Sequence, residues 1–167
     1  MKLSIELVPS TTWCNNLRSI LSKEDWDLLR KESYKDAKYK CEVCGGVGHK
    51  HPVECHEIWS YNDKKHIQKL DGLISLCPSC HQVKHIGFAY IKGNGEKAKK
   101  HFMKVNDYSQ IEATKYINKA FKKHEERSQY EWDIDLTFLK NKNISLNVWF
   151  YNTIYIIFLI LTILFKI

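Results

Sequence analysis

Cys41 and Cys44, and again Cys77 and Cys80, stand three residues apart. At that spacing a tight turn presents two thiolates to one tetrahedral ion. The two pairs are separated by 32 residues, and together they supply four soft ligands. Four thiolates leave no open coordination position, so the pattern predicts a structural Zn²⁺ site. Gly45 and Gly46 follow the first pair and Pro78 lies inside the second, as turns of this kind require. The competing reading is four buried, reduced thiols. His81 and His85 come directly after the second pair, four apart and therefore on one face of a helix. Uncharged imidazoles bind a divalent ion without cancelling its charge, which leaves it free to face a phosphate. Upstream, "ECHEIW" places His56 between Cys55 and Glu57.

These residues need elements to hold them. Residues 3–9 ("LSIELVP") alternate enough for a short strand. Ser22 and Asp25 stand in capping-box positions before a stretch without Gly or Pro, which predicts a helix over 22–40 with Trp26 and Leu29 buried. "VECHEIW" reads as a strand, and a helix is expected to begin near Pro78. Beyond a glycine break, Ala98, Phe102 and Val105 recur at helical spacing, and Ser109 with Glu112 forms a second capping box. The alternation in "YEWDIDLTFL" allows a further strand over 130–139. The expected fold class is α+β.

Charge is unevenly spread. The chain of 167 residues carries a net +7, and residues 86–128 hold ten Lys/Arg against five Asp/Glu. A basic segment beside a metal-ligand segment suggests a polyanion, most simply nucleic acid, with Lys97, Lys99, Lys100, Lys104, Lys119, Lys122 and Lys123 as candidate phosphate contacts. The alternative is a solvated helix face. Six cysteines without a preceding apolar leader predict a reducing compartment. Residues 148–165 are interrupted only by Asn152, Thr153 and Thr162. Such a run is just long enough to span a bilayer, so a C-terminal transmembrane segment over 144–166 is expected. Lys140 and Lys142 ahead of it would keep the main domain on the cytoplasmic side.

The cysteine pairs, "HEIW" and "LISLCPSCHQVKH" together resemble the HNH endonuclease family over residues 41–87. The resemblance implies a ββα-metal core pinned by the zinc knuckles, between an N-terminal strand and helix over 1–40 and a basic helical extension over 88–140. It implies hydrolysis of phosphodiester bonds, in DNA, with His56 as the general base. His81 and His85 would hold a catalytic ion such as Mg²⁺, Mn²⁺, Ni²⁺ or Zn²⁺. Two positions differ from the family pattern. Cys55 stands where Asp or His usually ligates the ion, which brings Cys55 or Glu57 forward as a further ligand. Gly72, beside Asp71, stands where the family has Asn. The alternatives from other classes are a non-catalytic zinc-stabilised nucleic-acid-binding module and a tail-anchored membrane protein.

Overall fold

A β-hairpin lies between the two hydrophobic cores of the described residues. In the computed structural model, which describes residues 2–142 and Ile144, β1 (Glu54–Asn62) pairs antiparallel with β2 (Ile67–Leu76). Asn62 closes the turn, its Oδ1 accepting from the N–H groups of Lys64 (3.2 Å) and Lys65 (3.1 Å). The register shifts by a bulge between Ile58 and Trp59. A short β3 (Asp133–Asp135) adds parallel to the other edge of β2, so the alternation in 130–139 ends as three residues of strand. It then turns into α7 (Thr137–Lys140).

Side chains alternate across the hairpin with period two. His56 pairs with Ile74, whereas the neighbouring positions pair Cys55 with Ser75 and Glu57 with Leu73. Ile74 and Leu76 belong to a core completed by α3 (Pro78–Lys84), α4 (Ile86–Ile91), α5 (Gly95–Asn106) and α6 (Gln110–Arg127). Trp59 and Leu70 belong to a second core with Leu17 of α1 (Leu17–Ile20), Trp26 and Leu29 of α2 (Lys23–Asp36), and Leu139.

The capping residues act as expected. Ser22 Oγ accepts from the Asp25 N–H at 3.0 Å, and the Ser109–Glu112 box opens α6. Helix α2 stops at Asp36, short of the expected Lys40, because Lys38 and Tyr39 adopt positive φ. At the start of α5, a Cβ on Gly95 would lie 2.0 Å from Tyr90 Cδ1, so a larger residue there would have to displace the Tyr90 ring.

The expected strand over 3–9 does not form. Leu3 and Ile5 are buried in the first core, but the backbone there is satisfied by helices instead of a strand. The Leu3 N–H donates to Asn106 Oδ1 (2.8 Å), Asn106 Nδ2 donates to Leu3 O (2.9 Å), and the Glu6 N–H donates to Lys84 O (3.2 Å). Alternation here reports burial of an extended segment, not sheet pairing. The expected transmembrane segment lies outside the described residues except for Ile144, which is buried in the second core. Among the described residues no helix is long and apolar enough to cross a membrane.

Candidate metal centres

The four knuckle cysteines converge. The Sγ atoms of Cys41, Cys44, Cys77 and Cys80 all lie within 4.8 Å of one another. Two local turns bring them there. In the first, the Cys41 N–H donates to Gly46 O (2.9 Å) and the Gly45 N–H to Cys41 O (2.8 Å), with Gly45 at φ +72° where a side chain would be strained. In the second, Cys77 caps α3 and Pro78 takes its first position. Cys80 is fully buried. A hydrogen bond from Cys80 holds the Cys41 thiol down at about 4, and the same contact pushes Cys80 up. Four thiolates cannot ionise together at this spacing without a cation between them. The donor set and its geometry fit a structural metal ion.

His101 adds a contact that the spacing of the cysteines does not reveal. Its Nε2 lies 3.2 Å from Cys80 Sγ, so α5 is tied to the thiol cluster. An imidazole at that distance can donate to a thiolate sulfur and help hold its charge.

A second cluster gathers His56 from β1 with His81 of α3 and His85, which leaves the helical conformation between α3 and α4 (φ −99°, ψ 41°) instead of continuing α3, one ring nitrogen of each within 4.8 Å of the others. His81 Nε2 and His85 Nε2 are 3.1 Å apart. Two ligands each about 2.1 Å from one ion at near-tetrahedral angles are separated by roughly 3.4 Å, so the pair fits a shared ion. The rings of His56 and His85 meet edge to face at 4.8 Å. Desolvation of its ring, then the charges of His56 and His81, pushes His85 down to about 3. His81 is lowered by burial and by His56, against the pull of Glu54. At neutral pH both are uncharged and able to donate a lone pair. His56 is buried, His81 half-buried and His85 exposed, which leaves the cluster one open side.

Two carboxylates stand behind the rings. Glu54 Oε2 accepts from His81 Nδ1 at 2.5 Å, which leaves Nε2 as the lone-pair nitrogen. Glu6 Oε2 accepts from His56 Nε2 at 3.1 Å, leaving Nδ1. Lys84, 5% exposed, donates to the other Glu6 oxygen and to Ser4 Oγ at 2.8 Å. Burial pushes the Glu6 carboxyl up, but the bond from His56 and the charge of Lys84 outweigh it and hold the group at about 2. Glu6→Gln leaves the Lys84 ammonium buried and unpaired, a change that typically costs about 3 to 5 kcal/mol. The expected denaturation curve shifts accordingly, and adding Lys84→Met recovers most of the loss. Equal stability of the single and double variants would show that the pair is not coupled.

Cys55 and Glu57 are not part of this cluster. Both sit on the opposite side of β1 from His56, as strand alternation dictates. Burial pushes the Cys55 thiol up to about 12. Glu57 Oε1 accepts from the Leu17 N–H (2.7 Å) and Oε2 from Trp59 Nε1 (3.2 Å). Glu57 thus fastens α1 to the hairpin. A Cβ on Gly72 would meet Ile58 and Phe138 at 4.0 Å, so its surroundings are apolar and Gly72 brings no polar group to the cluster. Cys14 is exposed and apart from both clusters.

The lysines separate into three groups. Lys97, Lys100, Lys104, Lys119 and Lys122 are exposed. Lys99 is only 8% exposed and donates to Thr114 Oγ1 at 2.8 Å, joining α5 to α6. Lys123 is exposed but lies 3.3 Å from Asp63 and 3.2 Å from Glu126. Lys99 therefore packs the helices instead of meeting solvent.

No protein-family model matches the chain, no curated protein matches it, and no solved structure matches it.

Proposed function

We propose that the protein is a metal-dependent nuclease that hydrolyses phosphodiester bonds in DNA, built round a structural Zn²⁺ on the four cysteines. The observation that carries the reading is the convergence of three imidazoles, one from the hairpin, one from the helix that the second knuckle starts and one from the residue that ends it. In this reading His81 and His85 hold a divalent ion, which when bound neutralises charge on the scissile phosphate and on the leaving oxygen. Glu54 orients His81, and Glu6 with Lys84 behind it orients His56. His56 then removes a proton from the water that attacks phosphorus as the P–O3′ bond breaks, its lone pair on Nδ1 and its Nε2–H held by Glu6. A supercoiled plasmid nicked in the presence of Mg²⁺, Mn²⁺, Ni²⁺ or Zn²⁺, and not by His81→Ala, supports the reading. Intact plasmid with every ion would leave the chain a zinc-stabilised binding module.

Binding to the polyanion is expected to rest on the exposed lysines. Replacing Lys97, Lys100, Lys104 and Lys122 by Gln should flatten the slope of log affinity against log salt by about 3 to 4, near one released counterion per contact. Lys99→Gln should leave that slope alone and lower the melting temperature, because its partner is Thr114. A slope unmoved by the fourfold variant returns these residues to a solvated helix face.

A further inference from the structure

Beside the imidazole cluster, a cleft of about 440 Å³ opens between the N-terminal segment, β1 and α6. Its chemistry is divided. Trp59, Tyr61 and Tyr116 give it aromatic surface. Lys119, Lys123 and Arg127 border it at i, i+4 and i+8 of α6, on one side of that helix. Glu6 lines it too, and the same carboxylate accepts from His56 at 3.1 Å. The cleft therefore reaches within one hydrogen bond of the imidazoles.

Its polar groups differ in availability. Arg127 donates to Asp63 at 2.8 Å and covers the Tyr61 ring at 3.9 Å, so it forms part of the wall. Lys123 is shared between Asp63 and Glu126. Of the three cations, Lys119 is the one without an ion pair among the described residues. His124 also lines the cleft, and its Nδ1 is buried without a hydrogen-bond partner. Buried polar atoms in folded proteins are ordinarily satisfied, and the described residues offer this one no partner.

We infer that this cleft is a nucleotide subsite. It seats one base of the nucleic acid against the Tyr116 ring, with the adjoining phosphate on Lys119 and the next phosphodiester directed to the imidazoles. Arg127 covers the Tyr61 ring and Trp59 is 9% exposed, so Tyr116 is the ring left for a base, and stacking on one ring is open to any base. A purely apolar ligand leaves Lys119 and His124 unused, and inorganic phosphate leaves that ring unused. A base enters such a cleft only when it is out of the stack, so the substrate class is single-stranded or locally opened DNA. The inference deepens the nuclease reading and rests on it for the polymer.

The test is binding without cleavage. A short single-stranded deoxyoligonucleotide carrying 2-aminopurine is titrated with the full chain, with no divalent ion added. The expected result is saturable quenching of the probe, weakened about tenfold or more by Ala120→Phe, which fills the cleft, and by Lys119→Glu. Zinc content and melting temperature report whether each variant is folded. If Ala120→Phe does not fold, Lys119→Glu decides. Absence of quenching with the unaltered protein, or wild-type affinity in a folded Lys119→Glu variant, overturns the subsite. Plasmid nicking by the unaltered protein is measured in parallel. Lost nicking with intact quenching sinks the nuclease reading and leaves the subsite, and the reverse sinks the subsite alone.

Discussion

Cys80→Ser is expected to release the metal from the knuckles and unfold the region that they pin. Cys80 is fully buried in the first core, beside Val83 and Leu76, so its loss affects packing as well as coordination. Apparent binding energies of structural zinc are about 10 to 16 kcal/mol, and this energy is gained only on folding. A well-packed domain retains part of its stability without the ion, so the expected cost is a lower bound of about 3 kcal/mol. The purified protein should carry one zinc per chain through gel filtration, and Cys80→Ser should carry none. Cys14→Ser serves as the control, because Cys14 is exposed and outside the cluster. It should change stability by about 0.5 kcal/mol or less. Unchanged melting after all four knuckle cysteines are replaced would sink the zinc assignment.

His56→Ala should abolish nicking while leaving the fold in place. A positioned general base contributes about 10² to 10⁴ in rate, so activity should fall by at least that factor. The same variant tests the role of His56. As a base it can be removed without emptying the site, and metal titration of His56→Ala should still find the ion on His81 and His85, whose Nε2 atoms stand 3.1 Å apart. If the ion is lost with the imidazole, His56 is a third ligand and another group takes the proton. A variant that keeps full activity would remove His56 from the reaction. Because His56 is only 6% exposed and bonded to Glu6, the zinc content of each variant must be shown to be intact before its rate is compared.

Features that depend on a few consecutive residues are legible in the order of the amino acids. The cysteine pairs close their own turns, Pro78 starts α3, and Ser22 and Ser109 cap α2 and α6 through bonds to residues three positions on. His81 and His85 stay close because one turn of backbone separates them, the His85 N–H donating to His81 O at 3.2 Å although His85 itself ends α3. Such features are visible because the interacting groups are fixed relative to each other by one or two turns of backbone.

Which of the neighbouring residues share a site depends on how the elements pack. Cys55 and Glu57 adjoin His56 in sequence, yet the pleat sends them to the other core, where Glu57 holds the Leu17 N–H. Glu54, two residues before His56, is the one carboxylate that period-two alternation alone points to, and it meets His81. Glu6 and His101 carry no local signal. Glu6 reaches His56 across 50 positions, and His101 reaches Cys80 across 21. The exposed look of Lys99 in a basic run likewise gave way to the α5–α6 contact. The reason is the same in each case. A long-range pair exists only when other elements close the loop between its members, and that closure depends on burial summed over both cores, not on the spacing of the two residues themselves.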